Sequence, residues 1–450
     1  MGTPPLSSLA SESAATMAPP AGNPAASQGG RVAPGTTLAV DHDRLWRSLM
    51  TLAKIGATDK GGVCRLALTD LDRQGRELFI RWAREAGCEI RVDGIGNIFA
   101  RRAGSDPSRA AVATGSHLDT QPTGGKFDGN YGVLAGLEVL RTLDDAGIRT
   151  RAPLEVCVWT NEEGSRFVPV MMGSGVYAGA FTLEHALAAR DADGRTVAGE
   201  LKAIGFLGQS PAGIAAGAPR ADAYFEAHIE QGPILEDAGI VIGAVTGALG
   251  QRWYDVTVTG QEAHAGPTPM RLRRDALLPA GALIAKVNQI AMAEQPDGRG
   301  TVGSVTVHPN SRNVIPGRVS FTVDFRHSND EGLNRMHAAL HEAAAVIERG
   351  SRGIAVAIEQ VVYFPPVAFD PSLVQLVRDG ARRLGEEPLD IVSGAGHDAV
   401  YVARTAPTAM IFVPCKDGIS HNEIEDARPE HLSAGANVLL HAMVERAGIA

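Results

Sequence analysis

Four short runs, residues 111–115, 154–160, 223–229 and 409–414, are almost continuously apolar, and each carries a histidine or an acidic residue at or soon after its end. Strands buried on both faces between helices read this way, whereas a half-exposed strand alternates. Placing polar ligands beyond the carboxyl ends of such strands is the general rule for open α/β sheets. Residues 45–53, 69–85 and 130–146 show apolar positions at helical spacing, and 92–100 is strand-like around a Gly94-Ile-Gly-Asn turn. The pattern predicts an α/β fold with a mostly parallel sheet flanked by helices.

The middle of the chain has another rhythm. Residues 252–259 alternate, 275–293 are helical, 301–308 and 319–326 are strands, 331–349 are helical and 353–362 form a strand. This β-α-β-β-α-β order predicts two helices on a small antiparallel sheet. With 450 residues, two folded units are the default. The expected division is a catalytic unit at 41–246 and 363–450, interrupted by an inserted dimerisation or lid unit at 247–362. Residues 1–40 are dominated by Pro, Ala, Ser and Gly and are expected to be a disordered tail. The tail lacks the charged and apolar regions of a secretory signal and the arginines of a transit peptide.

The chemistry is concentrated in short words. Gly115-Ser-His-Leu-Asp-Thr and Gly125-Lys-Phe-Asp-Gly bring His117, Asp119 and Asp128 into one short span. One imidazole with two carboxylates suits a divalent cation, zinc first, with manganese or cobalt admitted by the oxygens. Asn161-Glu-Glu-Gly, Ala227-His-Ile-Glu-Gln, Glu262-Ala-His-Ala-Gly and Ile419-Ser-His-Asn repeat the theme, which points to a hydrolase with two metals. A net charge of −9 argues against nucleic acid or an anionic membrane as partner. No apolar run approaches the roughly 20 residues that span a bilayer. Cys64, Cys88, Cys157 and Cys415 form no CxxC pair and read as reduced thiols of a cytoplasmic protein.

Taken in order, these words resemble the metal signature of M20-type dinuclear metallohydrolases. The flanking residues, among them Asn161-Glu-Glu-Gly-Ser-Arg-Phe, His228-Ile-Glu-Gln-Gly-Pro, Ala263-His-Ala-Gly-Pro-Thr-Pro-Met, Asn313-Val-Ile-Pro-Gly and Gly394-Ala-Gly-His-Asp-Ala, resemble the hydantoinase/carbamoylase branch over residues 41–445. The resemblance implies two divalent ions per subunit, zinc most expected, with Mn, Co or Ni as alternatives. His117 and His228 would bind one, Glu163 and His421 the other, and Asp128 both. Asp119 would fix the tautomer of His117 through its far nitrogen, and Glu162 would be the general base. Arg326 would clamp a substrate carboxylate with its two-pronged guanidinium. Gln231, Asn313 and the loop through Gly396 and His397 would hold the rest of the substrate. His264 would stabilise the oxyanion from the partner subunit of a homodimer.

The activity implied is hydrolysis of N-carbamoyl-L-α-amino acids or N-carbamoyl-β-alanine to amino acid, carbon dioxide and ammonia. Allantoate is the alternative substrate, and a dipeptidase or aminoacylase is less favoured. His308, His327 and His341 match no motif and read as structural. Lys126 and Asp398 lie inside motifs with no assigned role. After His421-Asn the branch often continues Pro-Ala-Glu; here Glu423-Ile-Glu-Asp follows, which questions the local loop shape but not the ligand.

Overall fold

The structure, a computed structural model, describes residues 38–450; the expected tail at 1–40 lies, except for its last three residues, outside the described residues. The chain first lays down β1 (Glu89–Val92), β2 (Ile98–Arg102), β3 (Val112–His117), β4 (Leu154–Trp159), β5 (Ala223–Ile229) and β6 (Gly243–Ala248). It then builds β7 (Gly250–Thr259), β8 (Ala263–His264), β9 (Arg299–Thr301), β10 (Val305–His308), β11 (Val314–Ile315), β12 (Arg318–His327) and β13 (Ala355–Phe364). It returns with β14 (Val367–Ala368), β15 (Leu389–Ser393) and β16 (Thr408–Val413).

The first and last groups form one sheet in the order β1-β2-β4-β3-β5-β16-β6-β14, with β15 also paired to β6. Its centre, β4-β3-β5-β16, is parallel. Antiparallel pairs extend it on both sides. Every residue of the four central strands is buried, which is why they read as unbroken apolar runs. Helix Asn130–Asp145 is itself buried at 13 of its 16 positions, packed on the sheet beside helices Pro429–Ala447 and His42–Leu52. Because the central strands run in parallel, their carboxyl ends share one edge, and the loops leaving that edge carry the candidate site.

The second sheet has the order β10-β12-β7-β13, with β9 also on β12 and every pair antiparallel. Helices Leu277–Ala293 and Asp330–Gly350 pack on it. Tyr254, Val256 and Val258, alternate residues of β7, meet Phe321, Val323 and Phe325 of β12 and Leu333, Met336 and Leu340 of the second helix in a separate core. The β-α-β-β-α-β reading holds, with one correction. The expected strand at 301–308 is two pieces, β9 and β10, each paired with β12 and separated by residues 302–304, where Gly303 adds no side chain to pack. Likewise the strand-like stretch at 92–100 is the turn and second arm of a hairpin whose first arm starts at Glu89. Among the described residues β8 and β11 pair only with each other.

Within the described residues the chain passes between the two sheets only twice, at Leu249 and at Pro365–Pro366. The two passages lie side by side: Ala248 pairs with Val367 on one side and Gln251 with Phe364 on the other. All four cysteines are free, and among the described residues no helix is long and apolar enough to cross a membrane.

Candidate metal centre

His117 is the last residue of β3, and Glu162 and Glu163 follow β4. His228 sits near the end of β5, and His421 follows β16. Asp128 comes from the turn before helix Asn130–Asp145 and stands among them. Its Oδ1 lies 3.3 Å from His228 Nε2 and 3.8 Å from His117 Nε2, while its Oδ2 lies 3.2 Å from His421 Nε2. His421 Nε2 is 3.3 Å from Glu163 Oε2, and His117 Nε2 is 3.6 Å from Glu162 Oε2. The donor atoms fall into two groups, His117–Asp128–His228 and Asp128–Glu163–His421, each compact enough to hold an ion. The five residues expected as ligands are thus brought together, with Asp128 common to both groups.

Two imidazoles are set by the backbone. His117 Nδ1 lies 2.9 Å from the carbonyl of Asp119, and His228 Nδ1 lies 2.9 Å from the carbonyl of Ile229. A carbonyl only accepts, so each Nδ1 carries the proton and each Nε2 is left with a lone pair near Asp128, that of His228 accepting from the Gly129 N–H at 3.2 Å. This corrects the expected role of Asp119. Its main-chain carbonyl, not its carboxylate, orients His117; the carboxylate accepts from the backbone N–H of Glu162 and of Glu163, both at 3.3 Å. Asp119 therefore positions the Glu-Glu pair. Glu163 is further held by Gln121, whose Nε2 donates to Oε2 at 2.8 Å and whose N–H donates to Oε1 at 3.1 Å.

The electrostatics are those of a site short of cations. Burial, reinforced by the charges of Asp398 and Glu163, raises Glu162 well above the carboxylate range, and burial with Asp128 does the same to Glu163. Burial pushes Asp128 up too, but the hydrogen bond from His421 and the adjacent imidazoles hold it well below that range. The hydrogen bond to Asp128 raises His421 to about 9, whereas burial lowers His117 and His228. Among the described residues, no lysine or arginine forms an ion pair with Asp128, Glu162 or Glu163. Clustered oxygens and imidazole nitrogens without a basic partner fit divalent metal. A third group, Glu226–His228–His397, fits less well. The Glu226 oxygens already accept from Ser116, Tyr224 and the N–H of Ala399, and His228 Nδ1 is engaged with Ile229.

The turn before the helix depends on Gly129. At φ 64° it stands in the left-handed region, and a Cβ there would lie 2.4 Å from the His117 ring. Three non-glycine residues beside the site, Asn161, Gln231 and His421, also have positive φ. Such conformations cluster at functional sites.

The expected substrate residues are placed unevenly. Gln231 Nε2 donates to Asp128 Oδ2 at 3.0 Å, so its amide nitrogen is tied to the centre. His397 Nε2 bonds Ser393 Oγ at 3.0 Å, and its ring stacks edge-on against His228 with centroids 4.5 Å apart. Arg326 projects from β12 toward the Gly394–His397 loop: Nη1 donates to the Gly394 carbonyl at 2.8 Å, and Nη2 to Asp324 at 2.9 Å. With Gly396 and Met171 it lines a cleft between the two sheets. His264 and Asn313 are not at this centre. His264 is exposed on β8, accepting from the N–H of Gly266, and the Asn313 carbonyl accepts from the adjacent Ala265.

Glu425 was missed. Buried, it accepts from the N–H groups of Phe127 at 2.8 Å and Asp128 at 3.2 Å and from Ser420 Oγ at 2.8 Å; Ser420 Oγ also lies 3.1 Å from Asp128 Oδ2. The signal was present. The glutamate of a Pro-Ala-Glu continuation falls on this position, so the departure after His421-Asn spares the residue that supports Asp128.

Residues 113–445 match Peptidase family M20/M25/M40. Over 93% of its length the chain is 50% identical to an N-carbamoyl-L-amino-acid amidohydrolase of Rhizobium meliloti, covering 99% of that protein. It is 36% identical to an allantoate amidohydrolase of Bacillus subtilis, over 86% of this chain and 93% of that one. A crystal structure of an amidase of the hydantoinase/carbamoylase family from Burkholderia multivorans is 61% identical, with a TM-score of 0.88, over 91% of this chain and 98% of that chain.

Proposed function

From the premise that the chain belongs to Peptidase family M20/M25/M40, and within it to the hydantoinase/carbamoylase group, we propose that it hydrolyses N-carbamoyl-L-amino acids to amino acid, carbon dioxide and ammonia. The observation that carries this reading is Asp128, whose two oxygens face two separate ligand groups with Glu162 alongside. His117 and His228 would hold one divalent ion, Glu163 and His421 a second, and Asp128 both. Zinc suits this set of nitrogen and oxygen donors, with manganese, cobalt or nickel as alternatives. Bound there, the ions would polarise the ureido carbonyl and make water a nucleophile at neutral pH.

The chain's own residues do the rest. Glu162 takes the proton of the attacking water and passes it to the leaving nitrogen. Asp119 keeps Glu162 and Glu163 in register. Arg326, beside the Gly394–His397 loop, receives the substrate carboxylate, while Gln231, Gly396 and His397 line the path to the carbonyl. His264 and Asn313 act on the opposite site of a homodimer, which accounts for their distance from the ligands on their own chain.

Allantoate is the second reading, favoured by similarity to the Bacillus subtilis allantoate amidohydrolase. A turnover screen of zinc- or manganese-loaded protein separates the readings. The substrates are N-carbamoyl-L- and D-α-amino acids, N-carbamoyl-β-alanine, allantoate and dipeptides. The L-α substrates should give the highest kcat/KM. Faster turnover of allantoate or a dipeptide overturns the assignment.

A further inference from the structure

We infer that Arg65 is a positioning residue of the metal centre: it fixes the spacing between the His117–Asp119 and Asp128–Asn130 segments and thereby how tightly metal is held. This rests on reading the centre as a metal site. Arg65 belongs to none of the motifs, yet it is fully buried. Buried guanidiniums are ordinarily paired with a carboxylate. Here all the side-chain hydrogen bonds go to neutral oxygens on three separate segments. Nε donates to the Leu118 carbonyl at 2.8 Å, and Nη2 to Asn130 Oδ1 at 2.7 Å. Nη1 donates to the carbonyls of Leu52 and Ile55 at 3.2 and 2.7 Å.

Two of these acceptors sit inside the ligand loops. Leu118 separates His117 from Asp119, and Asn130 follows Asp128 by two residues. The Asn130 amide donates onward to the Lys126 carbonyl at 3.5 Å, closing the turn that carries Asp128. The Arg65 backbone adds a reciprocal pair with Thr120: its N–H donates to Thr120 Oγ1 at 2.8 Å, and its carbonyl accepts from Thr120 N–H at 3.0 Å. Both loops are thus referenced to one rigid plane, itself anchored on the end of helix His42–Leu52. A residue serving only the core would not need to reach both. Partners that orient metal ligands typically change affinity about 10–100-fold when removed. The planar fork is essential, because an ammonium cannot reach these divergent acceptors with fixed geometry.

The test uses full-length protein stripped of metal by chelation. Zinc affinity is read by competition with a chromophoric chelator, thermal unfolding is followed in the metal-free state, and kcat and KM are measured on an N-carbamoyl-L-amino acid. Arg65→Lys and Arg65→Gln should bind zinc roughly 10–100-fold more weakly. They should also lose kcat at saturating zinc, with little change in KM. Asn130→Ala removes one arm of the fork and should give the same pattern with smaller size, and it decides the matter if the Arg65 variants fail to fold. Folded variants with lowered unfolding temperature but wild-type zinc affinity and kcat would make Arg65 a core residue and overturn the inference. Wild-type protein that binds no zinc overturns the metal-site reading, and this inference with it.

Discussion

Gly129 and Gly147 bracket the same helix and both stand at positive φ, 64° and 63°. They therefore separate backbone strain from damage to the centre. An alanine at positive φ costs about 1–2 kcal/mol in the left-handed helical region, and no less at Gly129, whose ψ is −48°. At Gly147 a Cβ meets nothing within 4 Å, so strain is the whole effect. At Gly129 the Cβ would lie 2.4 Å from His117 Cε1 and Nε2, against ordinary contact from 3.4 Å. The ring must retreat by about 1 Å, and it is the ring that faces Asp128 and Glu162. A displacement of that size at a reacting centre costs on the order of 100-fold. We expect Gly147→Ala to lower the unfolding temperature by a few degrees with kcat/KM unchanged. Gly129→Ala should lower it at least as much in metal-free protein, lose about 100-fold in kcat/KM and retain less zinc by elemental analysis. Equal kcat/KM in the two variants would refute the argument that the missing side chain at Gly129 serves His117.

Three further outcomes are expected. Glu162→Gln should cut turnover by about 100- to 10,000-fold, the usual cost of losing a general base, while elemental analysis still finds metal; loss of metal with activity would reassign Glu162 as a ligand. Arg326→Lys should raise KM and flatten the preference for a substrate over its carboxamide analogue, since an ammonium cannot grip a carboxylate with two parallel bonds; an unchanged preference would remove Arg326 from the substrate site. Mixing Glu162→Ala with His264→Ala protein should restore activity as subunits exchange, because one site of each mixed dimer has both groups intact. Mixed dimers that mass spectrometry detects but that stay inactive would refute sharing of His264.

The parts of this protein that were legible in the sequence are those where one physical cause dominates. β3, β4, β5 and β16 are buried along their whole length, so composition alone marks them. The small sheet was legible because β7 and β12 alternate and each is followed by a long helix, Leu277–Ala293 and Asp330–Gly350. β6 was not, since Gly243-Ala-Val-Thr-Gly-Ala has too little apolar bulk to stand out, and β14 has only two residues. The ligand-type residues were visible as motifs. Their support Arg65 was not: it lies 53 and 65 residues from the Leu118 and Asn130 that it touches, and meets them only once the sheet has assembled. The contact of Asp119 illustrates the same limit, because a sequence names a side chain while the fold here uses the main-chain carbonyl to orient the imidazole.

The two adjacent passages between the sheets make the segment from β7 to β13 a graft on the rest of the chain. Gln251 and Phe364 are neighbours on paired strands, so the points of entry and exit need no long bridge between them. Deleting everything between them and joining the ends through a short turn would leave every strand of the larger sheet with its partners. The same economy lets such an insert be gained, lost or exchanged as a block during evolution, carrying its own core with it. Arg326 is where that independence ends: it is the insert's reach into the larger unit, through Gly394. A transplanted insert would have to bring an arginine at that register, or the host loop would be left without its contact.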